Sequence, residues 1–197
     1  NKEAYKMMGV DLICHSINDI AVKGARGLFF LDYVASSSID KECIASFVEG
    51  ISDICLNYGI SLLGGETAEM PGIYVKNSVD MAGAIIGSLF KEEIIDGKKD
   101  IKRGDLAVAF PSSGLHTNGY SLIRKMIKEY GGYNNFSKEF IASLMVSHRC
   151  YMKEITEMKT RKVKINGLCH ITGGGFTHNL PRVLPDGLRV KFKDEKN

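Results

Sequence analysis

Leu62-Leu63-Gly64-Gly65-Glu66-Thr67-Ala68-Glu69-Met70-Pro71-Gly72-Ile73-Tyr74 is the stretch from which the rest of this chain is read. The apolar run Ile60 to Leu63 is short, which predicts a buried strand. It empties into a flexible glycine pair, and two carboxylates follow three positions apart. Backbone N–H groups next to glycine can approach phosphate oxygens closely, and carboxylates are the hard ligands that Mg²⁺ prefers. The combination points to a metal–nucleotide site. Its alternative is a strand-to-loop turn carrying two solvated acids, and one glycine pair does not separate the two.

Working outward, strand and helix signals alternate. Leu12, Ile13, Ser16, Ile17, Ile20 and Ala21 recur at helical spacing, with Gly24 placed to end the helix. Leu28 to Ala35 predicts a strand. Asp40 is a good N-cap, with Ile39 and Ile44 spaced for a hydrophobic staple. Ile44, Phe47, Val48, Ile51, Ile54 and Cys55 then form one apolar face, and Gly59 closes that helix. Val79 to Phe90 predicts a strand in which Gly83 and Gly87 mark a bulge or close packing. Strand, helix and strand in this order imply an α/β fold.

A polar stretch, Lys91 to Asp105, marks a domain junction near residue 100, giving domains over 1–100 and 101–197. Past it, Leu106 to Phe110, Gly167 to Ile171 and Leu188 to Phe192 are expected strands. Ser121 to Tyr130, one or two segments within Phe140 to Met158, and Phe176 to Val183 despite Pro181 are expected helices. Gly131-Gly132 follows the first of these as a cap. No internal repeat or low-complexity segment is seen.

The composition is that of a globular protein, with 44% hydrophobic and 25% charged residues. No apolar run reaches the ~18 residues that span a bilayer. The five cysteines form no CxxC pair and are odd in number, which favours buried free thiols in a reducing cytosol over a disulfide scaffold or a zinc site. Net charge is +3, but unevenly spread: residues 1–90 carry 6 Lys/Arg against 11 Asp/Glu, and residues 91–197 carry 20 against 12. An acidic half suits metal ligands and a basic half suits phosphates. The basic run Lys159 to Lys164 lacks interleaved aromatics, so nucleic-acid binding is not expected; nor is a membrane partner.

Two further segments read as anion sites. Ser112, Ser113, Gly114, His116, Thr117, Asn118 and Gly119 offer hydroxyl, imidazole and amide donors between an expected strand and an expected helix. Thr172-Gly173-Gly174-Gly175 likewise sits before a helix. Backbone N–H groups and the helix dipole favour an anion at such places. The alternatives are a structural histidine in the first and a tight turn without ligand in the second.

These motifs occur together, and in order, in one family. The Leu62–Tyr74 segment resembles the glycine-rich signature of aminoimidazole ribonucleotide synthetase, the cyclo-ligase of purine biosynthesis. Asp11-Leu12 through Asn18-Asp19 and Leu28-Phe29-Phe30-Leu31-Asp32-Tyr33 resemble its first helix and strand. Ser112 to Leu122 resembles its mid-chain phosphate loop, although Leu115 stands where the family carries proline. His170-Ile171-Thr172-Gly173-Gly174-Gly175-Phe176 and Asn179 to Pro185 resemble its second glycine-rich turn.

The resemblance implies an α/β (α+β) two-domain fold. Its N-terminal sheet-plus-helices domain binds ATP and metal and forms a barrel in a homodimer, and its C-terminal α/β domain is partial here. Family members are longer at both ends, so the resemblance also implies an absent first segment. It implies ATP-dependent cyclisation of formylglycinamidine ribonucleotide in the cytoplasm, with ATP and Mg²⁺. Alternatives are another ATP-using member of the superfamily, such as a formylglycinamidine synthetase-like enzyme, or a non-catalytic nucleotide-binding module. By the same resemblance Asp19 and Glu66 are the metal ligands, and with His116 they are the catalytic candidates. Asn18, Gly64, Gly65, Thr67, Ser112, Ser113, Gly114, Asn118, Thr172, Gly173, Gly174 and Gly175 are the expected ATP and phosphate contacts. Glu69 is assigned only to stabilising its loop. His15, His148 and His178 are given no role, and His170 is read as packing.

Overall fold

In a computed structural model that describes residues 1–192, the first helix runs Lys2–Ala21 (α1), capped by the Asn1 side chain accepting from the Glu3 N–H. The first strand follows as Arg26–Ser36 (β1), and the second helix as Lys41–Tyr58 (α2). Asp40 caps α2 as expected, its carboxylate accepting the N–H groups of Glu42 and Cys43 at 3.0 and 3.1 Å. Gly59 ends α2 in the left-handed conformation that glycine adopts without strain.

Strands Ser61–Glu69 (β2) and Val79–Ser88 (β3) flank β1 in the order β2-β1-β3, β2 parallel to β1 and β3 antiparallel. The β1–α2–β2 unit accounts for the parallel pair, which needs a helical crossover. Alternation along β1 buries Phe30 and Val34 under the helices, where they meet Ile13 and Ile17 of α1 and Phe47 and Ile51 of α2. Gly9 of α1 and Gly50 of α2 let the helix backbones approach. A Cβ on Gly9 would overlap the Phe47 carbonyl oxygen, and one on Gly50 the Lys6 carbonyl oxygen. The other face of the sheet stays open, leaving Phe29, Leu31, Leu63 and Ile86 exposed.

Three expectations are corrected. The glycine pair is not a loop: Gly64, Gly65 and Glu66 continue β2, registered on Leu31, Asp32 and Tyr33. The β1 edge offers a ladder that captures them, and a register shift after Phe30 absorbs Leu63. The turn comes later, where the Ile73 N–H donates to the Met70 carbonyl. Second, Leu106–Phe110, Gly167–Ile171 and Leu188–Phe192 form no strand. Leu106 is 88% and Val108 81% exposed, so among the described residues this apolar run has no neighbouring strand to bury against. Third, the helix expected over Phe176–Val183 stops early and gives way to a 3₁₀ turn at Leu180–Arg182, because Pro181 has no N–H to continue it.

The remaining helices are Gly97–Asp100 (α3), Tyr120–Glu129 (α4), Lys138–Leu144 (α5), Met152–Thr160 (α6) and Gly175–Asn179 (α7). The fold is thus mixed, with its sheet in the first half. Cys14, Cys43 and Cys55 are buried free thiols, and Cys150 and Cys169 are free and half-buried. No helix among the described residues is long and apolar enough to cross a membrane.

Candidate functional site

The last turns of α1 carry His15, Asn18 and Asp19, and three distant segments converge on them. The first is the connection between α5 and α6. Asn18, 3% exposed, donates from Nδ2 to the Arg149 carbonyl at 2.8 Å and accepts the Tyr151 N–H at 2.9 Å. Two turns earlier, Asp11 accepts the His148 N–H at 2.7 Å. Asn18 therefore spends its amide in pinning this connection to α1. Burial pushes the Asp11 carboxyl up to about 6, against the opposing pull of that hydrogen bond.

The second segment is the 112–119 loop. Thr117 Oγ1 lies 2.9 Å from His15 Nδ1. The Ser113 N–H donates to His116 Nε2 at 3.0 Å, which fixes that nitrogen as an acceptor and leaves the proton on Nδ1. The Ser113 hydroxyl reaches the Ser147 carbonyl at 2.7 Å, tying the loop to the α5–α6 connection. His116 holds a left-handed backbone, φ +55°, uncommon for a side chain of its size.

The third is the glycine turn. His170 Nδ1 donates to Asp19 Oδ1 at 2.7 Å. Behind it Thr172 donates to Asn179 Oδ1 at 3.2 Å, and Asn179 donates to the Gly175 carbonyl at 2.8 Å. Gly173 lies against Asn118: a Cβ there would stand 3.0 Å from Asn118 Oδ1, so the two turns touch.

Asp19, His116, Ser113, Thr117, Asn118, Thr172 and Gly173 are thereby gathered into one region. Gly174 and Gly175 open α7, which at five residues is too short for a sizeable dipole. Ser112 and Gly114 belong to the same exposed loop.

Gly64, Gly65, Glu66 and Thr67 are not gathered. Glu66 makes no hydrogen bond or ion pair among the described residues. Its register on Tyr33 puts it, by strand alternation, on the open face of the sheet, away from α1. Glu69 accepts the Ile39 N–H at 2.6 Å and so steadies the approach to the Asp40 cap.

Sequence reasoning missed His15, His148 and the bonding of His170. His116 stacks on His148 with ring centroids 4.0 Å apart, and His15 and His170 complete the cluster. Burial lowers the basicity of His15 and His116, and takes His148 down to about 4, the neighbouring imidazoles adding to the effect in each case. These three rings therefore hold a proton less readily than a free imidazole. A signal existed for one of them: His15 and Asp19 stand at i, i+4, the spacing that pairs side chains on a helix face.

Comparison with known proteins shows the family of the chain. The family model described as AIR synthase related protein, N-terminal domain, matches residues 2–89, and the corresponding C-terminal domain matches residues 102–196. A phosphoribosylformylglycinamidine cyclo-ligase of Clostridium novyi (strain NT) is 44% identical over 91% of this chain and 54% of its own length. One of Clostridium tetani (strain Massachusetts / E88) is 43% identical over 95% of this chain and 56% of its own. The chain thus spans little more than half the length of these relatives. A solved thiamine monophosphate kinase of Aquifex aeolicus is similar with a TM-score of 0.46 and 16% identity, over 79% of this chain and 49% of that one, a likeness too slight to bear on function. With the N- and C-terminal models of one family matched in order along nearly all of its residues, this chain belongs to the AIR synthase related proteins.

Proposed function

We propose that this chain is the nucleotide-handling part of a phosphoribosylformylglycinamidine cyclo-ligase, closing formylglycinamidine ribonucleotide to aminoimidazole ribonucleotide with release of ADP and phosphate. The observation that carries the reading is the convergence on Asp19 of the 112–119 loop and the 170–175 turn, joined through His15–Thr117 and Asp19–His170. In this reaction ATP phosphorylates the formyl amide oxygen, the amidine nitrogen attacks the activated carbon, and phosphate leaves as the ring closes. Because the nucleophile belongs to the substrate, the protein's work is alignment and charge neutralisation.

The turn N–H groups, the Thr117 hydroxyl and the Asn118 amide are the donors for phosphate oxygens. His116 stiffens the loop through Ser113. Asp19 is the hard oxygen donor that Mg²⁺ requires, and its side chain is 53% exposed, so each oxygen keeps lone pairs toward solvent. When bound, Mg²⁺ offsets triphosphate charge. The donors around Asp19 are otherwise imidazoles, which Mg²⁺ does not favour, so its remaining ligands are phosphate oxygens and water.

The exposed apolar face bearing Phe29, Leu31, Leu63 and Ile86 supports a homodimer formed through the sheets, and in that pairing Glu66 serves the second copy's site. The junction near residue 100 divides the dimerising half from the half carrying both anion-binding turns, and ATP and a phosphorylated substrate fit a cytoplasmic enzyme.

The test is phosphate release by the full-length protein with formylglycinamidine ribonucleotide, ATP and Mg²⁺. Release that requires the ribonucleotide supports the cyclo-ligase. Nucleotide binding without turnover contradicts it and favours a non-catalytic module.

A further inference from the structure

We propose that His15, His148 and His170 bind a divalent transition-metal ion of borderline softness, of the Zn²⁺ class. The site does not depend on the cyclo-ligase reading. The three rings come from α1, the α5–α6 connection and the segment before α7. They form a nearly equilateral triangle, with centroids 5.1 Å (His15–His170), 5.6 Å (His15–His148) and 5.7 Å (His148–His170) apart. One ring nitrogen of each lies within 4.8 Å of one from both others. Nitrogens on a tetrahedral ion at 2.0–2.1 Å stand about 3.4 Å apart, so binding draws the rings together by roughly an ångström.

The observation that asks for a ligand is at His148. It is 3% exposed, and its Nε2 is buried without any hydrogen-bond partner. A buried ring nitrogen without a partner is rare in native proteins. Its Nδ1 lies 3.0 Å from the Arg149 carbonyl, and an N–H there leaves the Nε2 lone pair free. His170 is prepared in the same way, since its Nδ1–H donates to Asp19 Oδ1 at 2.7 Å and frees Nε2. A carboxylate behind a histidine is the outer-shell arrangement that orients the ring and raises its basicity toward a metal. At His15, Nδ1 meets Thr117 Oγ1 at 2.9 Å, and Nε2, 3.3 Å from Asp19 Oδ2, exchanges that contact for the metal. His116 is excluded, because its Nε2 accepts the Ser113 N–H. Three imidazole nitrogens select Zn²⁺, Co²⁺ or Ni²⁺ over Mg²⁺ and Ca²⁺.

The experiment is titration of the chelator-treated protein, without nucleotide, with Co²⁺ as the spectroscopic probe. The expected result is one equivalent bound, with visible bands of nitrogen and oxygen ligation, no thiolate charge-transfer band, and a raised thermal midpoint. Excess Mg²⁺ leaves the bands in place. His148→Gln and His170→Gln each weaken binding about tenfold or more, Asp19→Asn weakens it about 10–100-fold, and His178→Gln matches the parent. Asp19 is half exposed, so its variant keeps the question open to test if a histidine variant does not fold. Absence of Co²⁺ binding overturns the site. So do binding of parental strength in folded His148→Gln or Asp19→Asn protein, and a thiolate band that disappears when Cys14 or Cys150 is replaced by serine.

Discussion

Asn18 and Asp19 are neighbours in sequence with opposite work. Asn18 is buried and satisfies the Arg149 carbonyl and the Tyr151 N–H, so Asn18→Ala strands two backbone groups and costs about 1–3 kcal/mol in denaturant unfolding. Asp19 is half exposed and meets His15 and His170; in the proposed function it is the Mg²⁺ ligand. Asp19→Asn keeps the thermal midpoint within a few degrees but lowers ribonucleotide-dependent phosphate release of the full-length protein by about 10²-fold or more. Equal effects on both quantities for both variants would contradict this division. Asp19 was legible through the family resemblance, and His116 and the glycine triplet through loops that each read as an anion site. His148 was not, because its meaning comes from α1 residues more than a hundred positions away, in a stretch that reads as helix. Spacing along the chain carries no trace of such a contact.

The two long helices were readable from apolar periodicity, the Asp40 cap and the Gly59 stop, all of them local chemistry. What periodicity did not disclose is how closely α1 and α2 approach at Gly9 and Gly50. Alanine at Gly9 gains about 1 kcal/mol of helix propensity but drives a methyl group into the Phe47 carbonyl oxygen, an overpacking cost of about 1–3 kcal/mol. The net expectation is destabilisation in urea unfolding, and a stabilised Gly9→Ala protein would show a looser crossing. The strand ends were misread for a related reason. Gly64 and Gly65 carry the local signature of a loop, yet the edge of β1 offers ladder partners that outweigh it. Leu106 to Phe110 carries the apolar run of a strand and, among the described residues, finds no partner. Strand formation is a property of the neighbour as much as of the segment.

At the scale of the molecule, half-burial raises the Asp32 carboxyl above its usual 3.8. The folded state then holds this proton more tightly than the unfolded chain does. The part of the stability that this carboxyl contributes is therefore fully present below that value and is lost as pH rises through the higher folded one. Asp32→Asn removes this part of the decline, measured as unfolding free energy against pH; an unchanged profile would mean the carboxyl is fully hydrated.

The opposed positions of Asp19 and Glu66 bear on assembly. If Glu66 serves the second copy's site, Asp19→Asn and Glu66→Gln full-length proteins are each inactive, but mixed dimers recover about a quarter of parental activity, one intact site in half of the dimers. No recovery on subunit exchange would assign both residues to one protomer's site or remove Glu66 from the chemistry.

The account stands on one convergence, and a crystal of the protein soaked with a non-hydrolysable ATP analogue and Mg²⁺ tests it most directly. The predicted result is triphosphate density between Asp19, the 112–119 loop and the Thr172–Gly175 turn, within hydrogen-bonding reach of their donors. Triphosphate bound elsewhere, with Asp19 still facing only His15 and His170, would contradict it.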